Sequence, residues 1–381
     1  MELSGITVLD LSRLLPGPFC TLVLSDLGAR VIKVEDLQGG DYIRYMPPLV
    51  NEYSSYFHLL NRGKESITLN LKQPKAKEIF LELVKKADVI VESFRPGVLK
   101  KLGLGFETLK AANEQIIVCS LSGFGQTGNY VHRAGHDLNF IALSGILSGT
   151  GVRDNSLAIP GVQIADLSGA LYGVIGILAA LIQRNKTHVG KMIDISLTAS
   201  AQSLAVLSLA QSIDANSCFD PGYDTLNGKM VSYNIYKTSD NRFMALGIIE
   251  PKFWIEFCQA IDKPHLLHSA ADSANKSEAF EEITRLFFSK TQNEWIEFFA
   301  EKDLCCEPVL YPNEVAYFSE KNLSQRIVRS DSDNVLVLST PVSSKKIDDA
   351  FGPDLGEHNE KTLSEMGYNR DTIIELKDLR P

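Results

Sequence analysis

Short apolar runs alternate with amphipathic stretches through the first half of the chain. Ile6-Thr7-Val8-Leu9-Asp10 reads as a strand and Leu14-Leu15-Pro16-Gly17-Pro18 as a turn. Residues 18–27 read as a helix, opened by proline in its first turn and closed at Gly28. Residues 30–34 form the next strand, with Glu35 at its tip. The alternation continues with a strand over 66–71, an amphipathic helix over 73–86 and apolar strands over 88–92 and 115–121. Residues 166–184 predict a long helix rich in small side chains (Gly169, Ala170, Gly173, Gly176), and 192–197 another strand. Strands alternating with helices predict an α/β fold: a Rossmann-like parallel sheet covered on both faces, with right-handed crossovers.

The pattern changes after about residue 200. A polar loop over 222–228 precedes two strands, 230–236 and 242–249, joined by the turn-rich Thr238-Ser239-Asp240-Asn241. Helices over 252–261, 278–288 and 292–302 complete a smaller α+β domain spanning 225–315. Residues 1–200 and 340–381 are then the large domain, and 201–224 and 316–339 are linkers. The second linker overlaps a polar, strand-like stretch, 320–345, and the chain ends in a charged helix. A length of 381 residues suits two domains, at ~150 residues each.

Composition narrows the function classes. With 44% hydrophobic and 22% charged residues, the chain has the material for a large core. A net charge of −9 argues against a nucleic-acid partner, which calls for a basic face. It leaves room for a local cluster of Lys and Arg that holds a phosphorylated small molecule. The six cysteines are scattered without a CxxC spacing, and the histidines form no HExxH cluster, so no metal site is expected. The thiols read as reduced, as in a cytoplasmic protein. The longest apolar stretch, 170–182, is shorter than the ~18 residues that span a bilayer and reads as a buried helix, so no membrane span is expected. The first ten residues lack the basic region of a secretory signal.

A doubly wound sheet raises the question of a nucleotide. The first β-α turn, Leu14-Leu15-Pro16-Gly17-Pro18-Phe19, lacks the GxGxxG fingerprint, and the chain has no GxxxxGK[ST] loop. Gly123-Phe124-Gly125-Gln126-Thr127-Gly128 fits a loop that needs positive φ at least as well as a phosphate cradle. Basic residues cluster in Asn61-Arg62-Gly63-Lys64, before one strand, and in Phe94-Arg95-Pro96-Gly97, after another. Arg95 lies where ligands of open α/β sheets bind, though a solvated surface arginine would look the same.

Three segments set an ionisable group among small or apolar neighbours: Gly135-His136-Asp137, Ile164-Ala165-Asp166-Leu167-Ser168-Gly169 and Ile248-Ile249-Glu250-Pro251. An imidazole and a carboxyl facing one small volume can exchange protons with a substrate held between them. Singly, each has an ordinary alternative: Asp166 as a helix N-cap, His136 as a hydrogen-bonded strand-end histidine, Glu250-Pro251 as the start of a helix. Read as catalytic, Asp166 begins a helix whose first N–H groups would be unpaired and available to an enolate oxygen.

These segments, with Leu24-Ser25-Asp26-Leu27-Gly28-Ala29, Leu60-Asn61-Arg62-Gly63-Lys64, Glu92-Ser93-Phe94-Arg95-Pro96-Gly97, Ser122-Gly123-Phe124-Gly125 and Leu355-Gly356-Glu357-His358, resemble the family III CoA-transferases (CaiB/BaiF-type), and within them the α-methylacyl-CoA racemase branch. The resemblance implies an enzyme that epimerises a 2-methylacyl-CoA thioester by proton transfer through an enolate. His136 and Asp166 would be the acid/base pair and Glu250 the partner of His136. CoA contacts are implied at Arg62, Arg95, Asn61, Pro16 and Gly17, with CoA as part of the substrate and no separate cofactor. The second activity in the family is transfer of CoA between carboxylates, with Asp166 as nucleophile; His136 favours the racemase branch. A basic residue that family members often carry after the second strand is Asp36 here, a departure at the expected adenine position. The resemblance also implies an interlocked homodimer, with Glu250 of one chain reaching His136 of the other.

Overall fold

A computed structural model describes residues 1–151, 156–214, 221–222, 224–272, 277–322, 327–329, 336–343 and 351–368. The chain divides into two compact units: Met1–Ile141, Gln163–Leu204 and the chain from Ala316 form the first, Ala142–Val162 and Ala205–Val315 the second. Residues 142–162 therefore group with the smaller unit, although their sequence position lies within the stretch expected to be the large domain.

The first unit is built on six parallel strands: β1 (Thr7–Asp10), β2 (Arg30–Glu35), β3 (Glu65–Thr68), β4 (Val89–Glu92), β5 (Ile117–Ser122) and β6 (Met192–Ser196). Their order across the sheet is β3-β2-β1-β4-β5-β6, the doubly wound arrangement. Its helices are α1 (Pro16–Asp26), α2 (Ser55–Asn61), α3 (Pro74–Lys86), α4 (Phe106–Ala112), α5 (Asp137–Ser144), α6 (Ile164–Thr187) and α7 (Leu197–Leu204), although the last residues of α5 group with the second unit.

The strands read as continuous apolar runs because both faces of the sheet are buried. Val8, Val31, Val89 and Ile117 pack with Cys20 and Leu24 of α1 and with Ala170, Val174 and Ile177 of α6. Their neighbours Leu9, Ile32, Ile90 and Val118 pack with Ile79, Phe80 and Leu83 of α3. The small residues of α6 allow this close packing. A Cβ at Gly169 would come within 2.2 Å of Leu197, and one at Gly173 within 3.2 Å of the Cys20 sulfur. The sequence had put the start of this helix at Asp166; the structure starts it at Ile164, which makes Asp166 a first-turn residue rather than a cap.

The second unit holds three antiparallel strands: β7 (Tyr233–Lys237), β8 (Phe243–Gly247) in the centre and β9 (Cys306–Pro308). Helices α8 (Pro251–Ala260), α9 (Glu278–Phe287) and α10 (Gln292–Phe299) cover it around a core of Tyr236, Trp254, Phe257, Phe287, Trp295 and Phe299. The Trp254 and Trp295 ring N–H groups donate to the carbonyls of Leu266 and Phe287, which satisfies the polar edge of each buried ring. The polar return stretch contains a two-stranded pairing of Ile327–Arg329 with Leu336–Leu338. Near the end of the chain the described helix is Asn359–Glu365; the expected C-terminal charged helix lies mostly outside the described residues.

Candidate active site

The order of the doubly wound sheet reverses between β1 and β4, and a crevice opens there beyond the carboxyl ends of the strands. A cavity of about 570 Å³ occupies this region of the first unit. Arg13 and Pro16 reach it from the β1–α1 connection, Phe94 and Arg95 from the loop after β4, and Gly123 and Phe124 from the loop after β5. His136 enters from the segment that leads into α5, and Asp166 from the first turn of α6. The two residues, 30 positions apart in sequence, line one cavity.

Asp166 is half-buried, and burial pushes its carboxyl up to about 7, with the neighbouring Asp137 carboxylate adding to the rise. Asp137, the first residue of α5, also fixes where α6 begins. Its Oδ1 accepts the Ala165 N–H at 2.6 Å and the Asp166 N–H at 3.1 Å. This corrects the expectation of free donors at that helix start, because the carboxylate of a neighbouring helix already occupies both N–H groups. Asp137 thus caps α6 and raises the Asp166 carboxyl at once. The sequence showed it only as the third member of Gly135-His136-Asp137.

His136 exposes its ring, which has no hydrogen-bond partner among the described residues. Its backbone is held: the N–H donates to Asn139 Oδ1 at 3.0 Å, and its carbonyl accepts the Asn139 N–H at 2.8 Å. The glycines on either side of this wall serve packing. A Cβ at Gly123 or Gly135 would come within 2.5 or 2.7 Å of the Phe140 ring, which also meets Phe124 edge-on. Gly125 and Gly128 take φ of +81° and +94°, which accounts for the glycine-rich loop without a phosphate. Glu250 belongs to the second unit. It stands at the N-cap position of α8, exposed, with a side chain that caps nothing.

The five expected CoA contacts separate. Pro16 and Arg95 lie on the cavity wall, and Arg95 makes no ion pair among the described residues. Arg62 does not line the cavity: it is buried in a bidentate pair with Asp26, at 2.6 and 2.8 Å. Asn61 is also buried, donating to the Phe57 carbonyl and accepting from Lys64 Nζ at 2.9 Å. Gly17 lets α1 close onto the preceding loop, since a Cβ there would overlap Ser12. These three are engaged within the protein and do not line the cavity. Polar residues in a short motif look alike whether they face a ligand or each other.

A buried ionic network supports the β1 side of the cavity. Lys64 Nζ meets Asp10 at 3.3 Å and donates to the Pro18 carbonyl at 2.9 Å, while Lys33 meets Asp41 at 3.1 Å and donates to the Ser12 carbonyl at 2.9 Å. Burial alone would raise the Asp10 carboxyl, but Lys33 and Lys64, with hydrogen bonds from Ser12 and Thr21, together outweigh it and hold the group at about 2. Burial brings the Lys64 ammonium down to about 8 despite Asp10. The loop that carries Arg13 and Pro16 is thereby fixed from beneath. Arg13 itself pairs with Asp36 at 3.0 Å, so a cation stands beside the position where the resemblance implied one. Both residues line a second cavity of about 390 Å³, which also touches Val34, Leu69, Lys72 and Phe94.

Comparison with known proteins agrees with this architecture. The model of CoA-transferase family III matches residues 3–359. The chain is 36% identical to the human (Homo sapiens) alpha-methylacyl-CoA racemase, over 99% of this chain and 96% of that one. It is 33% identical to the mouse (Mus musculus) succinyl-CoA:glutarate CoA-transferase, over 98% of this chain and 88% of that one. Among solved structures, a CaiB/BaiF family protein from Brucella suis superposes with a TM-score of 0.83 at 29% identity, covering 96% of this chain and 99% of that one. The match runs through both units, and the chain belongs to CoA-transferase family III, a family of enzymes.

Proposed function

We propose that this enzyme epimerises a 2-methylacyl-CoA thioester, as an α-methylacyl-CoA racemase does. The observation that carries the reading is the sharing of one cavity by the His136 imidazole and an Asp166 carboxyl raised to about 7. A carboxyl in that range serves as acid or base at neutral pH, which a two-base exchange requires of both partners. One group takes the α-hydrogen as a proton, and the C–H electron pair passes into the thioester enolate. The other group returns a proton to the opposite face. At the end of a turnover the two have exchanged protonation states.

The presence of the His136 imidazole in the same cavity favours this reading over transfer of CoA through an acyl anhydride on Asp166. On this reading Arg95 and Pro16 face the thioester, and the Arg13–Asp36 cavity receives part of the CoA moiety, with Arg13 and Lys72 as its cations. Incubation with (S)-2-methylacyl-CoA in D₂O, followed by NMR, should show α-deuterium incorporation with inversion. Absence of exchange, together with a hydroxylamine-trapped acyl group at Asp166, would establish the transferase instead.

The working form is proposed to be a homodimer in which Glu250 of one chain is the partner of His136 of the other. The long apolar helix α6 leaves Leu171, Tyr172, Ile175 and Ile182 exposed, although half of its most apolar window is buried. Val206, Leu207 and Ile213 of the following segment are exposed as well. Surfaces of this kind suit a second copy of the chain. Co-refolding His136→Ala with Glu250→Ala chains should restore part of the activity that each lacks alone. No restoration would count against the shared site.

A further inference from the structure

A third, smaller cavity of about 200 Å³ lies behind the loop after β4, and Arg95 lines both this cavity and the large one. The small cavity is floored by Glu92 and Ser120, with Gln126, Lys100 and Met192 around it. Glu92, Ser120 and Asp194 are direct neighbours across β4, β5 and β6, so their side chains form one row on one face of the sheet. Each carboxylate in the row holds a loop of the large cavity. Glu92 Oε2 accepts the Phe94 N–H at 2.8 Å, and Asp194 Oδ2 accepts the Gln126 N–H at 2.9 Å. Glu92 is buried, yet none of its partners is a cation, and Arg95 makes no ion pair among the described residues.

We propose that Arg95 has two alternative anionic partners: the Glu92 carboxylate across the small cavity, and the acidic part of a CoA thioester in the large one. Protonation of Glu92 then governs how firmly the ligand is held. This rests on the functional reading above only for the identity of the ligand. The titratable and charged groups around Glu92 are Asp194 on β6 and Arg95 and Lys100 across the small cavity, with Cys119 on the opposite face of β5. Burial pushes the Glu92 carboxyl up to about 7, opposed by its hydrogen bonds to Ser120 and Phe94 and assisted by Asp194. Below that range Glu92 is neutral and leaves Arg95 to the ligand. Above it a second anion appears beside Asp194; of the two cations that line the small cavity, Arg95 and Lys100, Arg95 is the one that also lines the large cavity. Ligand affinity should therefore fall as pH rises through the Glu92 midpoint. By reciprocity, bound ligand should raise that midpoint.

The test is an infrared titration of the intact enzyme, with Glu92→Gln as the difference reference that isolates the Glu92 band. Glu92→Gln keeps an acceptor for the Phe94 N–H. Replacing Arg95 by Gln should move the Glu92 midpoint up by roughly a unit, because the ionised form loses its cation. Saturating CoA should move it up in the wild type and leave it in place in Arg95→Gln. CoA affinity, measured by calorimetry at each pH, should fall several-fold with rising pH in the wild type relative to Glu92→Gln. That ratio cancels the ionisation of CoA itself. A midpoint unmoved by Arg95→Gln overturns the proposal, as does parallel pH dependence of CoA affinity in wild type and Glu92→Gln. Absence of CoA binding at every pH overturns the functional reading instead, while the Arg95→Gln titration still decides the pairing.

Discussion

Asp10 and Asp166 are both carboxyl groups of one α/β unit, and their surroundings drive them in opposite directions. Asp10 lies behind the β1 loop with Lys33 and Lys64, and its charged form is held down to about 2. Asp166 lies at the large cavity with Asp137 as its charged neighbour, and it is pushed up to about 7. Burial acts in the same sense on both. What separates them is the sign of the nearest charge, together with the hydrogen bonds that Ser12 and Thr21 give Asp10, which makes one a fixed ion within a network and the other a group able to exchange a proton near neutral pH.

Replacing Asp166 by Asn tests that difference most strongly. Activity should fall about 10²–10⁴-fold, the usual worth of a positioned acid or base. Stability should move the other way. The folded-state pKa of Asp166 is raised, so its ionisation opposes folding as pH rises from the ordinary carboxylate range through about 7. Asp166→Asn should therefore be more stable than the wild type at pH 8, in urea unfolding, with the gain vanishing near pH 4. Equal stability at both pH values would mean that Asp166 is not destabilised by its site. Asp10 has a depressed folded pKa, so its contribution is present at neutral pH and is lost as pH falls from about 4 through about 2.

A second variant breaks the other side of the comparison. Lys64→Met leaves Asp10 with a weakened counter-charge in a buried site and should cost about 3–5 kcal/mol in urea unfolding. A loss under about 1 kcal/mol would show that Lys33 alone satisfies Asp10. The smallest effect is expected from Asp137→Asn. Asn retains an acceptor for the Ala165 and Asp166 N–H groups while removing the like charge. The limb of the kcat/KM profile that reports Asp166 should move to lower pH, with folding preserved. A limb that stays in place would assign the elevation of Asp166 to burial alone.

The sheet was legible because each of its strands carries its own signal. Residues such as Val8 and Leu9, or Val89 and Ile90, are apolar in succession since a sheet covered on both faces buries both. The long helix was legible for a similar reason, its small residues marking a close approach that the structure shows against Leu197 and Cys20. Helices α2, α4, α5 and α7 were missed: each has only seven or eight residues, too few to show the spacing that marks longer helices. His136, Asp166 and Arg95 stood out as polar residues in small or apolar settings, and the cavity holds all three.

The sequence by itself determined the order of the sheet strands and of the longer helices and the identity of the ionisable groups, because these depend on residue type and on spacing along the chain, and its motifs carried the resemblance to the family. Only the tertiary structure decided which charges meet. It pairs Arg62 with Asp26 away from the cavity, and it sets Asp137 against the Ala165 and Asp166 N–H groups in the first turn of α6. It also sets Glu92 in a row with Asp194, 102 positions away in sequence (194 − 92). The energy of a buried charge depends on neighbours within a few ångströms, and those neighbours come from strands and helices far apart along the chain.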